Sequence, residues 1–506
     1  MHRATAPRAA GVIIAAALPL ILWAVCRIGP TFDDYTTLQS PNLTPDFAAG
    51  LLPNDSFWRP WDFLFGCLLG WQTGLFPWLN HLVIIAGHTV STWLIARICR
   101  HLGIGPLATA AAMLLFFFSP AGLGATLACD GLNQTFAQMW GLVALLIYIK
   151  MCGDNRTTQA DDTSSMQTDD RPVRRGILCY LIFVGIAALS KENGLAWAIV
   201  PPAIAWAFHR VTRATALRHV AAGLIFAAVY FVLRITLRHG GTEGADYLAT
   251  TLTGHLTDFL QMVLYNWLPM DYVVTADRSL LTVCLAAVTA VASLPLLALL
   301  FWPRKAVITQ RPALVIVACW LVLASPHLLT LASIMHNYAP LAMTALLAAY
   351  LCDSIRHYRL LLVCLALYIG AAVITDAHHA VWALRSGELS RQLAQQAIVK
   401  TGEPVDSVLC ITIEDERPRY SSFIVRPQDA FAWGLSVRHY TGYRWPQHYD
   451  FKILSATDND ATREQVQAQA DAIARSAVGQ HAADGLTFCV WIFDGDEIRV
   501  VRPPKL

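Results

Sequence analysis

The chain has 506 residues, 56% of them apolar and only 14% charged, with a mean hydropathy of +0.46 and a net charge of +2. A water-facing surface usually carries about 25% charged residues. That excludes a soluble enzyme with one ordinary core, along with disordered, collagenous and disulfide-miniprotein classes, and so small a net charge offers nucleic acid no basic field.

A helix needs about 20 apolar residues to cross hydrocarbon. Eleven stretches approach this: 11–28, 78–97, 105–121, 133–150, 176–190, 194–208, 217–235, 279–301, 313–333, 338–353 and 359–376. Arg3 and Arg8 precede the first as in a signal peptide, but Cys26-Arg27-Ile28 offers no small-x-small cleavage site, so an uncleaved helix is expected. Pro201-Pro202 interrupts the sixth, and broken helices at membrane depth need protein or a cavity around them. With the N-terminus cytoplasmic, loops on that side carry 17 Lys and Arg of residues 1–376, against 6 on the other side. This is the bias that sets orientation. Eleven spans then place the tail outside, in the periplasm if the membrane is a bacterial inner membrane.

The expected architecture is an all-α polytopic membrane protein over 1–376, with external loops at 29–77 and 236–278, and a small periplasmic α/β domain over 377–506. Within the first loop, 61–76 is apolar but too short to span, and reads as an interfacial segment. The stretch 152–175 is polar and reads as a loop. The tail opens with a helical pattern (Leu384, Leu389, Leu393, Ile398), followed by strand-like runs at 407–413 and 486–493 and an Ala/Gln-rich helical stretch at 462–478. Cys410 and Cys489 fall in those two runs, where an oxidising compartment permits a bond and two buried thiols are the plainer reading. No CxxC or CxxH spacing suggests zinc.

Charged groups near hydrocarbon are costly and usually functional. Asp33-Asp34 follows the first span; adjacent carboxylates raise one another's pKa, which suits a general base, while the plainer reading is a helix cap. Arg59 stands among Phe57, Trp58 and Trp61, where a guanidinium suits a phosphate or a lipid headgroup. His81 and His88 share a helix face but lie about 10.5 Å apart along the axis, too far for one metal ion. Asp130, Asn133 and Gln134 open the fourth span, where capping explains them. Ser190-Lys191-Glu192-Asn193 separates two spans almost without a loop, and Lys191 and Glu192 are expected to pair or to bind something. His327 closes the ninth span, and His336-Asn337-Tyr338-Ala339-Pro340 opens the tenth.

The order of these motifs resembles the GT-C superfamily of multispanning glycosyltransferases that use lipid-linked sugars. It is most similar to the membrane part of the tetratricopeptide-containing O-mannosyltransferases and their bacterial relatives. Matching elements are the Asp-Asp pair, Arg59-Pro60, Asn80-His81, Phe118-Ser119-Pro120, Ser190-Lys191-Glu192 and Tyr338 with Pro340. Two features depart: no tetratricopeptide repeats follow, and the family's Arg-Tyr reads Asn337-Tyr338 here.

The resemblance implies a polyprenyl-phosphate sugar as donor and a protein, glycolipid or polysaccharide as acceptor. Asp33 or Asp34 would be the base, the other orienting the acceptor or a divalent cation (Mg or Mn), with no cofactor otherwise required. Arg59 and Lys191 would hold phosphate, Glu192 would position Lys191 or bind sugar hydroxyls, and His81 and Tyr338 would complete the binding set. The rival readings are a flippase for lipid-linked sugars and a polysaccharide polymerase or ligase.

Overall fold

The structure is a computed structural model that describes residues 5–503 except 44–46, 54–56, 70–76, 160–170, 238–251, 276, 302–309, 329–333, 356, 415–426, 443, 456–461, 482–486 and 496. Parts of both expected external loops, and the centre of the polar 152–175 stretch, therefore lie outside the described residues.

Helix α1 (Ala6–Val25) leads to short helices α2 (Asp34–Leu43), α3 (Phe47–Leu51) and α4 (Pro60–Leu69). Next come α5 (Trp78–Leu102) and α6 (Pro106–Phe117), which bends by 46° into a segment ending in α7 (Leu123–Thr126). Then follow α8 (Leu132–Gln159), α9 (Arg171–Ser190), α10 (Val200–Ala207) and α11 (Arg213–Leu237). The series ends with α12 (Leu252–Trp267), α13 (Leu280–Phe301), α14 (Arg311–Ala324), α15 (Tyr338–Asp353) and α16 (Tyr358–Thr401). The tail adds β1 (Ser407–Ile413), α17 (Leu435–Tyr440), β2 (His448–Leu454), α18 (Arg463–His481), β3 (Phe488–Asp494) and β4 (Glu497–Val501).

Among the described residues six helices are long and apolar enough to span, seven if the bent α6–α7 pair counts as one, with shorter apolar helices at Ile177–Ser190 and Arg311–His327. All eleven sequence stretches contain helix, but 194–208 is not one continuous span. Its first half is a 3-10 turn, Glu192–Ala198. The 3-10 piece reaches about 14 Å and the eight residues of α10 about 12 Å, and Arg210 beyond them bonds the His101 carbonyl at the end of α5, so the two pieces together make one broken crossing. Two sequence features cause the break. A Cβ on Gly194 would lie 2.3 Å from the Ala187 carbonyl carbon, so only glycine lets the turn fold back on α9. Pro201 and Pro202 sit in the first turn of α10, where their missing N–H groups remove no helix bond.

The helices sort by burial. In α1, α11 and α13 only 17%, 11% and 22% of the apolar window is buried within the protein, so lipid must cover the remainder; in α5 and α8 the shares are 61% and 56%. Helix α15 is buried along nearly its whole length. Its Ala339, Ala342, Ala345 and Ala348 let neighbouring helices approach closely, as membrane interiors favour.

Helix α16 runs unbroken for 44 residues, about 66 Å, straight through the boundary expected at 376. Its far end covers one face of the tail sheet with Leu393, Ala394 and Ala397. That sheet has the order β2-β1-β3-β4, parallel across β2, β1 and β3 with β4 antiparallel. Helix α18 covers the other face, packing Val466, Ala470 and Ala474 on Ile411, Val490 and Ile492. Cys410 and Cys489 are free thiols on adjacent strands; Cys410 is in register with Trp491, and Cys489 with Val408.

Near its middle α16 meets the chain leaving α1, where a Cβ on Gly387 would come within 2.6 Å of the Gly29 backbone. Gly387→Ala should force the two apart, at a cost of about 1–3 kcal/mol for overpacking. Thermal unfolding in detergent should show it as a lowered Tm; an unchanged Tm would mean that the contact is not tight.

Candidate functional site

The site begins at the turn out of α1. Phe32 has φ +29°, in the left-handed region that non-glycine residues rarely occupy and that tends to mark functional segments. The turn is held by Asp34, whose Oδ2 accepts from the Thr31 N–H (2.8 Å) and the Thr31 hydroxyl (3.3 Å). Asp34 is the first residue of α2, and its carboxylate accepts from the residues before the helix and not from the free N–H groups of the helix's first turn, so it ties the turn together and does not cap α2. It also reaches further. Its Oδ1 accepts the N–H of Asp130 at 3.0 Å, tying this turn to the one preceding α8. The side chain is 1% exposed, and burial, with a contribution from Asp33, pushes its pKa up to about 7 against the N–H bonds that favour the charge. Asp33 beside it is half-buried. Asp130 presents a buried Oδ1 with no hydrogen-bond partner.

The basic side is built from the segment before α4 and the turn after α9. Glu192 Oε2 receives Arg59 Nε at 3.0 Å and its terminal NH2 at 2.9 Å, while Oε1 receives the Trp58 N–H at 3.0 Å. The guanidinium lies 4.6 Å from the Phe57 ring centroid. Glu192 therefore positions Arg59, not Lys191 as expected. Lys191 has extended backbone before a 3-10 turn, and instead directs its Nζ to Asn133 Oδ1 at 3.5 Å.

The same Asn133 donates to Asp62 Oδ2 at 3.2 Å, so one amide joins a cation to a carboxylate. Burial raises Asp62 to about 6, opposed by Arg59, and lowers Lys191 to about 8, with Arg59 adding. Burial also opposes the charge on Glu192, but Arg59 overcomes it and holds that carboxylate below its usual range.

Sequence reasoning passed over Asp62 and gave Asn133 only a capping role. The signal was available: Asp62 is the one acid inside the apolar stretch 61–76. His81 is fully buried near Asp34, its Nε2 3.5 Å from the sulfur of Cys129, which adjoins Asp130. Tyr338 is fully buried too, but its hydroxyl meets His88 Nδ1 at 2.9 Å, and His88 Nε2 lies 3.1 Å from the Phe117 carbonyl. That chain joins α15, α5 and α6 in the core, away from the charged side chains.

The tail domain reaches the Asp pair. Tyr35 bonds Ser390 of α16 at 3.0 Å and Tyr440 of α17 at 3.5 Å, and Phe32 and Tyr35 pack with Ala432 and Leu435. Among the described residues no three His, Cys, Asp or Glu side chains are grouped to hold a metal ion.

No protein-family model matches the chain, and no curated protein matches it. Among solved structures it is similar to the crystal structure of ArnT from Cupriavidus metallidurans bound to undecaprenyl phosphate. Identity is 10%, the match covers 95% of this chain and 92% of that one, and the TM-score is 0.50. The chain shares the polytopic membrane fold of that protein. At 10% identity the likeness is one of fold, and it takes in the α/β tail as well as the helices.

Proposed function

We propose that this protein transfers a sugar from a polyprenyl-phosphate donor to a protein, glycolipid or polysaccharide acceptor. The observation that carries the reading is that Asp130 interacts electrostatically with Asp33, Asp34 and Asp62 and also with Lys191 and Arg59, which brings the acidic and basic sides together on a fold shared with a protein crystallised on undecaprenyl phosphate. In the proposed step the acceptor O–H gives its proton to a carboxylate as its oxygen attacks the anomeric carbon. The bond from that carbon to the phosphate oxygen breaks, and polyprenyl phosphate leaves with the electron pair. Lys191 and Arg59 stabilise the charge that develops on it, inside a site that sheds water.

Asp33 is the better base of the pair. Both oxygens of Asp34 accept backbone N–H groups and the side chain is almost wholly buried, so its task is to hold the turn that presents Asp33. Glu192 occupies one edge of the Arg59 fork and so orients the other toward phosphate. A divalent cation, Mg or Mn, would fall to Asp33 for the same reason that the proton does. Loss of turnover in EDTA and recovery with either ion would assign it that role.

The assay is release of free polyprenyl phosphate from a polyprenyl-phosphate sugar by purified protein in liposomes, with candidate acceptors added. Asp33→Asn should lower release by about 10²–10⁴-fold, the usual contribution of a general base, with protein levels unchanged. A flippase would redistribute the lipid and release none, and that result would sink the reading.

Release should also follow a narrow bell against pH. Asp34 must be ionised to keep its N–H bonds, so the rate rises as pH climbs through about 7; Lys191 must be protonated to meet phosphate, so it falls above about 8. Lys191→Arg should move the alkaline limb upward and leave the acid limb in place. A flat profile between pH 6 and 9 would contradict both assignments.

The proposed orientation puts the N-terminus in the cytoplasm, the site and tail in the periplasm and the helices in the inner membrane, following the 17-to-6 distribution of Lys and Arg. A periplasm-active reporter fused after Gly402 should be active, and one inserted within 160–170 silent; the reverse pattern would put the site on the cytoplasmic face.

A further inference from the structure

One residue past Asn133 on α8 is Gln134, and two residues past Lys191 is Asn193. Neither takes part in the charged network; they meet each other. The Asn193 amide donates to Gln134 Oε1 at 3.1 Å, and the same nitrogen lies 3.1 Å from His327 Nε2. With the amide as donor, that ring nitrogen accepts, which places the His327 proton on Nδ1. The ring of His336 stacks on that of His327, centroids 4.1 Å apart and planes within 19°.

This cluster is buried and incompletely matched. Gln134 is 1% exposed and Asn193 6%. The Gln134 amide nitrogen, the Asn193 amide oxygen and His336 Nδ1 are all buried without a hydrogen-bond partner. Buried polar groups are nearly always matched, because an unmatched one gives up its hydration for nothing. Three within one side-chain cluster, offering both donor and acceptor capacity, indicate a polar guest. None of the four side chains is a carboxylate or a guanidinium. Burial, with His327, Lys191 and Arg59 nearby, keeps His336 uncharged.

We propose that Gln134, Asn193 and His336 form the seat of the donor's sugar, and that they read an uncharged glycosyl unit through its hydroxyl or amide groups. The inference rests on the glycosyltransferase reading above. It follows from the order of groups along the chain: Lys191 takes the phosphate, and the sugar bonded to that phosphate comes to lie against the neutral donors and acceptors next to it. An amino sugar would bring a positive charge toward Lys191 with no carboxylate in the cluster to receive it.

The test measures binding by the full-length protein in nanodiscs. The probes are undecaprenyl phosphate alone and a panel of undecaprenyl-phosphate hexoses and pentoses, neutral and amino-substituted. At least one neutral sugar should tighten binding by about tenfold or more over undecaprenyl phosphate, the scale of one or two good hydrogen bonds. Gln134→Leu and Asn193→Leu should lose that gain and still bind undecaprenyl phosphate as the wild type does. Without ligand, Gln134→Leu removes an unmatched N–H group together with one acceptor of Asn193, which keeps His327 as its other partner, so the Tm should shift by no more than about a few degrees. The inference is overturned if no sugar tightens wild-type binding, if both variants weaken undecaprenyl phosphate itself, or if amino sugars bind as well as neutral ones. Failure of the wild type to bind undecaprenyl phosphate at all would overturn the proposed function, and this seat with it.

Discussion

A single carboxylate joins two turns that are 96 residues apart. Asp34 accepts N–H groups from Thr31 and from Asp130, and so sets the start of α2 against the start of α8. It does this with almost no water around it, where an ionised carboxylate is stable only if its lone pairs are filled. The strained Phe32 and the half-buried Asp33 ride on the same turn. His81 beneath Cys129 and Tyr35 against α16 are fixed by where that tie places the chain.

The charges follow from the same scarcity of water. Five ionisable side chains (Arg59, Asp62, Lys191, Glu192 and Asp34) sit at the edge of an apolar bundle, and they divide the compensation unevenly. Arg59 and Glu192 satisfy each other directly, which leaves Glu192 charged. Lys191 and Asp62 meet only through Asn133, and burial moves both toward neutrality. Lys191 is thus the less compensated of the two cations, held through one neutral amide, while Arg59 is paired along one edge of its fork with Glu192.

The sequence made the membrane class legible through composition, and the helices through hydrophobic run length, because lipid demands both whatever the tertiary detail. The tail strands were readable as strand-like runs at 407–413 and 486–493, the second forming Phe488–Asp494; β2 was not, because its exposed Phe451 and Ile453 alternate with charged Asp450 and Lys452 and mimic loop. The Asp pair, Arg59 and the Lys191 turn stood out as charge among apolar neighbours. Their partners did not. That Glu192 goes to Arg59 depends on the 3-10 turn that Gly194 permits, and Tyr338 goes to His88 because α15 lies against α5; both are consequences of packing that local pattern does not encode.

Helix α16 links these levels. Were the tail a separate domain on a flexible joint, its contacts with Tyr35 would come and go with the motion of that joint. Instead one helix, unbroken from the membrane to the sheet, carries Gly387 against the turn out of α1, Ser390 against the Tyr35 hydroxyl, and Leu393, Ala394 and Ala397 into the sheet's own core. A displacement of the sheet is thereby transmitted within two helical turns to the residue next to Asp34. The tail is thus held directly against the turn that carries Asp33 and Asp34, through Ser390 and Tyr440 on Tyr35 and through Ala432 and Leu435 on Phe32 and Tyr35.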